Sequence, residues 1–271
     1  MKTRLDVLLT EQGYFPTREK AKAAIMAGLV FVDGQISDKP GTGIKDDAVI
    51  SVKGDSCPFV GRGGLKLAGA LEVFGVNPLG FRCIDIGAST GGFTDCLLQN
   101  GAEKVWAVDV GYGQLDYKLR VDPRVVNIEK QNFRYMTPDQ VGEPLDLAVT
   151  DVSFISLKHI FPNASAMLKD GGLMIALIKP QFEAGREQVG SKGIVKDLKV
   201  QKDVIEKVMG FASESRFTVT NLSYSPVKGA KGNIEFLLML RKCAEGEKPS
   251  IDPGIDIEKI VELAHSELDN R

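Results

Sequence analysis

Four charged residues border apolar segments of the sequence, where a charge without a partner is costly. Asp151 closes the segment LDLAVTD, and Lys179 follows the segment LMIALI. Glu235 begins a later apolar run, and Lys66 lies in the segment GRGGLKL. Because buried charges in proteins are normally paired, these residues are candidates for a shared polar site. Each alone is also compatible with a surface charge, and for Glu235 alone that interpretation is favoured.

Two lysines and two carboxylates indicate proton-transfer chemistry. A free lysine has a pKa of about 10.4 and is a poor base unless it is desolvated or lies near another cation. A second lysine close by meets that condition, and carboxylates can hold the other amine charged and oriented. The chain has only two histidines, and its four cysteines form no CxxC pair, so the sequence predicts no metal site.

A second candidate site is the loop within CIDIGASTGGFTDCL, residues 83–97, which has the strand–turn–helix pattern of a nucleotide-binding unit. No lysine follows Gly91 and Gly92, as a phosphate loop requires, and the GxGxxG spacing of a dinucleotide site is absent. Asp109 ends the next predicted strand, roughly 20 residues on, where a carboxylate meets ribose hydroxyls. The predicted ligand therefore has a ribose but no phosphate at the loop, as S-adenosylmethionine does. The alternative is that the glycines serve only packing.

The predicted contacts of this cofactor lie in three segments. The glycine loop would contact the methionine part and Asp109 the ribose, while Asn132 would meet the adenine, although an asparagine there is commonly a turn residue. The predicted cofactor-binding residues are Asp85, Gly87, Ala88, Ser89, Thr90, Gly91, Gly92, Asp109, Val110 and Asn132.

An alternation of strands and helices would bring these residues together. The hydrophobic pattern predicts strands at 82–86, 105–109, 125–128, 145–151, 173–178, 218–224 and 234–240, with helices between the first five. This order predicts an α/β doubly wound sheet, in which ligands bind beyond the carboxyl ends of the strands. Only the turn PVKGAKGN separates the last two strands, so we expect them to form an antiparallel hairpin at one edge.

Residues 1–53 have a different pattern, of two helices followed by a hairpin. The first helix is predicted to stop at Gly13, and Thr17 is predicted to cap a second helix that Gly28 ends. Asp33-Gly34 between apolar runs indicates a tight hairpin. The sequence therefore predicts a small α+β domain ahead of the larger sheet.

This N-terminal pattern resembles the small RNA-binding domain named after a ribosomal small-subunit protein, the "S-four" domain. The residues that match are Thr17, Arg18, Ala21, Ile25, Gly28, Val30, Val32 and Gly34. The resemblance implies that a basic helix face contacts structured RNA, through Arg4, Arg18, Lys20 and Lys22. The alternative is an ordinary solvated helix face.

Six short motifs follow one another along the chain: GRGGLKL, DIGASTGGFT, DVGYGQL, DVSFISL, IKPQFE and GNIEF. Together with the N-terminal domain they are similar to the TlyA, or haemolysin-A-like, family of ribosomal RNA 2′-O-methyltransferases. The resemblance implies a Rossmann-like class I methyltransferase domain of the FtsJ-like type, which uses S-adenosylmethionine. It implies as substrate the cytidine riboses of large-subunit RNA, with small-subunit RNA as a further option.

The same resemblance implies a catalytic K-D-K-E tetrad, which in this sequence is Lys66, Asp151, Lys179 and Glu235. Our hypothesis is that Lys179 is the general base, that Lys66 and Asp151 position the ribose and the methyl donor, and that Glu235 orients a lysine. Without a suitable histidine, either a lysine removes the hydroxyl proton or the step proceeds by orientation alone.

Two loops that contain glycines and lysines are candidates for binding RNA. One is GREQVGSKGIVKD, with Arg186, Lys192 and Lys196, and the other is VKGAKGN, with Lys228 and Lys231. Glycine allows such backbones to approach phosphate, and the lysines would neutralise it. The alternative is a pair of solvated loops. The predicted RNA contacts outside the N-terminal domain are Arg62, Lys192 and Lys228.

The predicted domains are an RNA-binding domain at 1–58, a linker at 59–63, the methyltransferase domain at 64–243 and an acidic tail with a helix at 244–271. The net charge is −2, and the tail is more acidic than the rest, so an acidic balance does not exclude a basic RNA-binding face. No apolar run has membrane-spanning length and no signal peptide begins the chain, so we expect a cytoplasmic protein that partners ribosomal RNA or ribosomal subunits and no membrane. The oligomeric state stays open.

Three other functions remain to be compared with this one. The first is a non-catalytic RNA-binding or ribosome-assembly factor, which an intact tetrad disfavours. The second is the haemolysin of the older family name, for which the sequence offers no spanning segment. The third is methylation of a base nitrogen. Asp151-Val152-Ser153-Phe154 occupies the place of the Asn/Asp-Pro-Pro-aromatic loop that such enzymes often have, which disfavours it.

Overall fold

The structure, a computed structural model, describes residues 2–11, 14–15, 17–45, 48, 50–52, 57–229 and 232–268 of the chain. The chain divides into two units between Pro58 and Phe59. The predicted end of the first helix at Gly13 and the candidate RNA contact Lys231 lie outside the described residues.

The first unit has two helices and two small antiparallel sheets, in which β1 pairs with β4 and β2 lies between β3 and β5. Its elements are β1 (Lys2–Arg4), α1 (Leu5–Glu11), α2 (Arg18–Met26), β2 (Val30–Val32), β3 (Gln35–Ile36), β4 (Gly43–Lys45) and β5 (Ile50–Val52).

Local sequence signals set the ends of these elements. The hydroxyl of Thr17 accepts a hydrogen bond from the backbone N–H of Lys20 at 3.3 Å, so the predicted N-cap of α2 is confirmed. Asp33 and Gly34 both have positive φ, at 51° and 79°, which suits the tight turn of the β2–β3 hairpin. A cluster of buried aliphatic side chains from both helices and from three strands forms this unit's core: Leu5, Leu8, Leu9, Ala21, Ala24, Ile25, Val30, Ile44 and Ile50.

The second unit alternates strands and helices. Its elements are α3 (Gly63–Phe74), β6 (Arg82–Ile86), α4 (Gly92–Gln99), β7 (Lys104–Val108), α5 (Tyr117–Arg120), β8 (Val125–Ile128), β9 (Leu145–Thr150), α6 (Phe161–Met167), β10 (Leu168–Ile178), α7 (Pro180–Glu183), α8 (Leu198–Glu214), β11 (Phe217–Tyr224), β12 (Phe236–Lys242) and α9 (Ile257–Leu268).

Seven of these strands form one sheet in the order β11-β12-β10-β9-β6-β7-β8. The five from β10 to β8 are parallel, whereas β12 is antiparallel to both β10 and β11. The predicted doubly wound α/β sheet with an antiparallel hairpin at one edge is therefore confirmed. Because β12 runs against β10, its first residue lies beside the last residue of β10, and Phe236 is in register with Ile178.

Three details of the predicted elements are wrong. The segment between β8 and β9 forms only 3₁₀ turns at Phe133–Tyr135 and Pro138–Gln140, because it is short and polar and contains a proline. Strand β10 begins at Leu168 instead of 173. Strand β12 begins at Phe236 instead of 234, so Glu235 lies in the turn before the strand, where its backbone carbonyl accepts a hydrogen bond from Ser225 N–H.

The sheet is buried on both faces, because successive side chains of a strand point to opposite sides. In β12, Leu237 and Met239 pack with α3 and α4, while Phe236, Leu238 and Leu240 pack with α6, α8 and α9. This burial leaves the strand ends as the places where polar groups meet water.

The C-terminal segment belongs to this second unit. Helix α9 buries Val261, Ala264 and Leu268 in the same core cluster as α8 and β11. The strand β11 residue Val219 also exchanges backbone hydrogen bonds with this segment, through Ser250 and Asp252. None of the helices in the described part of the chain is both long enough and apolar enough to span a bilayer.

Candidate active site

Four different elements bring the charged residues Lys66, Asp151, Lys179 and Glu235 together. Asp151 and Lys179 directly follow β9 and β10, which are neighbours in the sheet. Glu235 directly precedes β12, whose start lies beside the end of β10. Lys66 reaches the group from the first turn of α3. The antiparallel strand is what places a carboxylate from the far end of the chain at this edge.

Asp151 is shared between the two amines. The Lys66 Nζ atom donates to Glu235 Oε2 at 2.7 Å and to Asp151 Oδ2 at 3.4 Å. Lys179 forms an ion pair with the other oxygen of Asp151 and donates to Ser153 Oγ at 2.9 Å. The four residues therefore form one chain of contacts, from Glu235 through Lys66 and Asp151 to Lys179.

Burial differs along this chain of contacts. Glu235 is 1% exposed and Lys66 9% exposed. Burial by itself lowers the pKa of Lys66, but the Asp151 and Glu235 carboxylates outweigh it, so the pKa of Lys66 is raised. Lys66 is therefore the permanently charged amine of the pair, and Lys179 is the amine that lies at the cleft.

The Glu235 side chain can be accommodated only because residue 229 is a glycine. A Cβ atom on Gly229 would lie 1.9 Å from Glu235 Oε1, so any other residue there would displace the carboxyl group. Gln181 also contacts Glu235, since its Nε2 lies 3.4 Å from Oε1. Since Gly229 follows Lys228, the predicted RNA loop runs directly past the tetrad.

The glycine loop between β6 and α4 surrounds a buried carboxylate. Asp85 is completely buried, and its Oδ2 accepts hydrogen bonds from the N–H and hydroxyl of Thr94 at 2.9 and 2.7 Å. Its Oδ1 has no hydrogen-bond partner among the described residues. Burial, with a smaller contribution from the carboxylates of Asp151 and Asp109, raises the pKa of Asp85 to about 7, although the hydrogen bonds from Thr94 oppose the rise.

The path of the loop depends on Gly87. This residue has φ +87°, and a Cβ atom on it would lie 3.1 Å from the carbonyl oxygen of Asp151. The loop backbone therefore passes directly beside the segment that follows β9. Ala88, Ser89 and Thr90 continue the loop, Gly91 is the N-cap of α4, and the helix begins at Gly92.

Asp109, which directly follows β7, supports the loop from the other side. Its carboxylate accepts backbone hydrogen bonds from Ser89 at 2.9 Å and from Gly111 at 2.6 Å. Each carboxylate oxygen has a second lone pair, which leaves acceptor capacity toward the cleft. Val110 is exposed, and Asn132 accepts from Arg134 N–H at 3.1 Å as the cap of a 3₁₀ turn, so the turn role considered for Asn132 is present.

These groups line one continuous cleft along the carboxyl ends of the strands. One part contains Asp85, the glycine loop, Asp151 and Lys179. The adjoining part, of about 360 Å³, contains Asp109, Val110 and Asn132 and shares Gly87, Ser89, Asp151 and Ser153 with the first. Three carboxylates line the cleft, which favours a cationic ligand over a phosphate.

The candidate RNA contacts lie in both units. In the first unit, Arg4 and Arg18 both pair with the buried Asp6, at 3.0 Å each, and Lys20 is exposed. In the second unit, Arg62 and Lys192 are exposed and Lys228 is half-buried. Asn233 links the two loops: its side-chain amide donates to Gly193 O at 2.9 Å, and its backbone carbonyl accepts from Gly229 N–H.

Several residues of the site were missed from the sequence. Ser153 holds Lys179, Gln181 contacts Glu235, and Thr94 holds Asp85. The motifs DVSFISL, IKPQFE and DIGASTGGFT contain all three residues, so membership of these motifs is the sequence signal that could have identified them. The motifs do not specify which side chains contact each other.

The comparisons with known proteins agree with this geometry. A family model for FtsJ-like methyltransferases matches residues 59–242, and an S4 domain model matches residues 3–50. YqxC of Bacillus subtilis, named as a candidate rRNA methyltransferase, is 51% identical over 98% of this chain and 95% of its own. The 16S/23S rRNA (cytidine-2′-O)-methyltransferase TlyA of Mycobacterium tuberculosis is 42% identical over 89% of this chain and 90% of its own.

Solved structures show the same likeness. The structure of a Streptococcus thermophilus protein described as a candidate hemolysin is 48% identical, covers 99% of this chain and 98% of its own, and superposes with a TM-score of 0.80. The fold and the cleft define a methyltransferase that uses S-adenosylmethionine. The chain belongs to the FtsJ-like methyltransferase family, with an S4 domain at its N-terminus.

The residues of the cleft fit S-adenosylmethionine. This cofactor has a sulfonium and an ammonium cation, a ribose and no phosphate, and the cleft offers carboxylates and no loop lysine. The unpartnered Oδ1 of Asp85 is a buried acceptor beside the cleft, and Asp109 lies where a ribose hydroxyl is expected. The individual contacts assigned to these residues remain predictions.

Cofactor affinity is expected to depend on the charge of Asp85. A bound cation favours the carboxylate, so below pH 7 binding must release the proton of Asp85 and affinity falls. Between pH 7.5 and 6 the dissociation constant of S-adenosylmethionine should rise about eightfold, as calorimetric titration would measure. Asp85→Asn should bind more weakly with little dependence on pH over this range. An equal pH dependence in wild type and variant would contradict this.

The buried ion pair predicts a stability effect that is not additive. Lys66→Met should lower the free energy of unfolding by about 3–5 kcal/mol, because it leaves buried carboxylates without their cation. When Glu235→Gln is added to Lys66→Met, it should lower the free energy of unfolding by much less than it does in the wild-type protein. Urea denaturation of the single and double variants measures both effects. Lys202→Met, which removes the partner of the exposed carboxylate of Glu258, is the matched control and should have a far smaller effect. Additive costs would exclude the coupling.

Proposed function

We propose that this protein transfers a methyl group from S-adenosylmethionine to a ribose 2′-hydroxyl of ribosomal RNA, with cytidine as the modified nucleotide. The relatives named as rRNA cytidine-2′-O-methyltransferases support the substrate, and their likeness extends over both units of the chain. The observation on which the proposal depends is the amine of Lys179, which lies in the cofactor cleft paired with Asp151 and Ser153.

The amines have different tasks in this proposal. Lys66 is a buried cation held by Glu235 and Asp151, and its role is to fix the position of Asp151. Lys179, as the neutral amine, takes the proton of the ribose hydroxyl as the oxygen–carbon bond forms and the bond between sulfur and the methyl carbon breaks. Asp151 and Ser153 then stabilise the ammonium ion that results, as a carboxylate does for a protonated base. When bound, S-adenosylmethionine supplies the methyl group on a positively charged sulfur.

Substrate recognition is assigned to the first unit and to the two loops beside the tetrad. Asp6 is completely buried, and both of its oxygens accept hydrogen bonds from arginines. The Arg4 guanidinium, followed by that of Arg18, holds the pKa of Asp6 down at about 2 although burial opposes this. Asp6 therefore remains charged at physiological pH and holds two arginine side chains side by side, which suits contacts to adjacent RNA phosphates.

Removing the amine of Lys179 should separate cofactor binding from methyl transfer. In Lys179→Ala and Lys179→Arg, single-turnover methyl transfer to ribosomal subunits should fall by about 10²–10⁴-fold, the usual contribution of a general base. The affinity for S-adenosylmethionine, measured by calorimetry, should stay close to that of the wild type. Lys158→Ala, an exposed lysine over the ring of Phe211, is the matched control. Near-normal transfer in both variants would remove the base assignment.

The arginine pair predicts a salt-dependent loss of RNA binding. Arg18→Ala should weaken binding to ribosomal RNA and reduce the slope of log affinity against log salt by about 1, because one phosphate contact is lost. Lys259→Ala, an exposed cation on the acidic α9, should leave both quantities unchanged. The measurement is a filter-binding titration at several salt concentrations. If both variants behave alike, the first unit does not bind RNA through this pair.

The product distinguishes this function from a non-catalytic assembly role. Purified protein, ribosomal subunits and S-adenosylmethionine with a labelled methyl group should yield label on ribose oxygen, located by alkaline-resistance mapping. A protein that binds subunits and leaves every ribose unmodified would be an assembly factor.

A further inference from the structure

Helix α7 is a single turn, yet this turn and the residue before it contact three different parts of the site. Lys179 precedes it and pairs with Asp151. Gln181 contacts Glu235, and the ring of Phe182 lies 4.8 Å from that of Phe154. The last residue of the turn, Glu183, has no part in the chemistry described above, although it is a buried titratable group.

Glu183 binds the segment that follows β9 at a second place. Its Oε2 accepts from the Ser156 hydroxyl at 2.7 Å, and its Oε1 accepts from the Leu157 backbone N–H at 2.8 Å. These donors begin a 3₁₀ turn at Leu157–His159, whose cap is Ser156. Asp151 and Ser153 lie in the same segment, a few residues earlier, and both contact Lys179.

The surroundings of Glu183 differ from those of a surface cap. Its exposure is 4%, and no salt bridge reaches its carboxylate within the described part of the chain. Burial raises its pKa, while the hydrogen bonds from Leu157 and Ser156 oppose the rise. A buried carboxylate without an ion pair is costly, so its two oxygens are committed to these donors. Its backbone is also fixed, because Lys207 of α8 donates to Glu183 O at 2.7 Å.

We infer that Glu183 is a positioning residue for methyl transfer: by joining α7 to the Ser156-Leu157 turn, it sets the distance between the Lys179 amine and the Asp151-Ser153 pair. The inference rests on the proposed function, since it concerns the same amine. The segment from 151 to 157 is held to Lys179 at its start and to Glu183 at its end. Without the second attachment, Asp151 and Ser153 lose their fixed place opposite the amine.

Loss of this attachment should slow the chemical step more than it weakens binding. A displacement of about 1 Å in a catalytic group can cost 10²-fold in rate. In Glu183→Ala, single-turnover methyl transfer at saturating RNA and S-adenosylmethionine should fall at least about tenfold per folded molecule. Glu183→Gln keeps an acceptor and a polar partner for both donors and should stay within about threefold of wild type.

Ser156→Ala provides a second variant in case Glu183→Ala fails to fold. It removes one of the two donors and leaves the carboxylate bound to Leu157, and transfer should fall about threefold to tenfold. Thr218→Val, in the edge strand β11, is the matched control: Thr218 is also buried and hydrogen-bonded, to Cys243, but it lies outside the site. Its transfer rate per folded molecule should equal that of the wild type.

The outcomes separate this inference from the proposed function. If wild-type protein methylates RNA and the folded alanine variants at 183 and 156 do so at the wild-type rate, Glu183 is not a positioning residue. The same conclusion follows if Thr218→Val slows transfer as much as Glu183→Ala. If the wild type itself transfers no methyl group to ribose, the proposed function fails first. A slow Glu183→Ala with a nearly normal Glu183→Gln supports the inference.

Discussion

A carboxylate shared by two lysines is the interaction on which the rest of the second unit depends. Asp151 contacts Lys66 through one oxygen and Lys179 through the other, and none of the three is fully solvated. Charges at such a place are tolerated only when every one of them has a partner. The sheet satisfies this requirement because β9 and β10 are neighbours and the reversed strand β12 adds Glu235 beside them. The α/β fold thus serves to hold four groups, from four segments, within contact distance.

The cofactor cleft follows from the same arrangement. The loop at Gly87 lies against the backbone of Asp151, so the methyl-donor site and the amine site share a wall. Acidic groups on that wall suit a ligand with a positive sulfur, and the amine of Lys179 is held in place by its contact with Asp151. Substitutions at the loop are therefore expected to affect the tetrad, and changes in the tetrad to affect the loop. The single turn of α7 extends this coupling, since it contacts Glu235, Phe154 and the turn after Ser156.

The first unit repeats the motif of a buried carboxylate between two cations for another purpose. Asp6 is buried, but its partners Arg4 and Arg18 are about half exposed, so both guanidinium groups are accessible to solvent. In the tetrad the amines themselves are mostly covered. The difference in exposure matches the difference in proposed role, because phosphate recognition requires accessible charge, whereas proton transfer benefits from restricted water.

The sequence alone determined the alternation of strands and helices, the glycine loop and the candidate charged residues, because these depend on local hydrophobic period and on short motifs. It gave a wrong helix between β8 and β9, where too few apolar residues were available to set a period. It also missed Ser153, Gln181 and Glu183. Their roles depend on contacts between residues that are distant in the sequence. The contact of Glu235 with Lys66, 169 positions away, is of the same kind. Only the tertiary structure decided those contacts, because the order and direction of strands in a sheet bring distant side chains together, and a local pattern contains no information about that order.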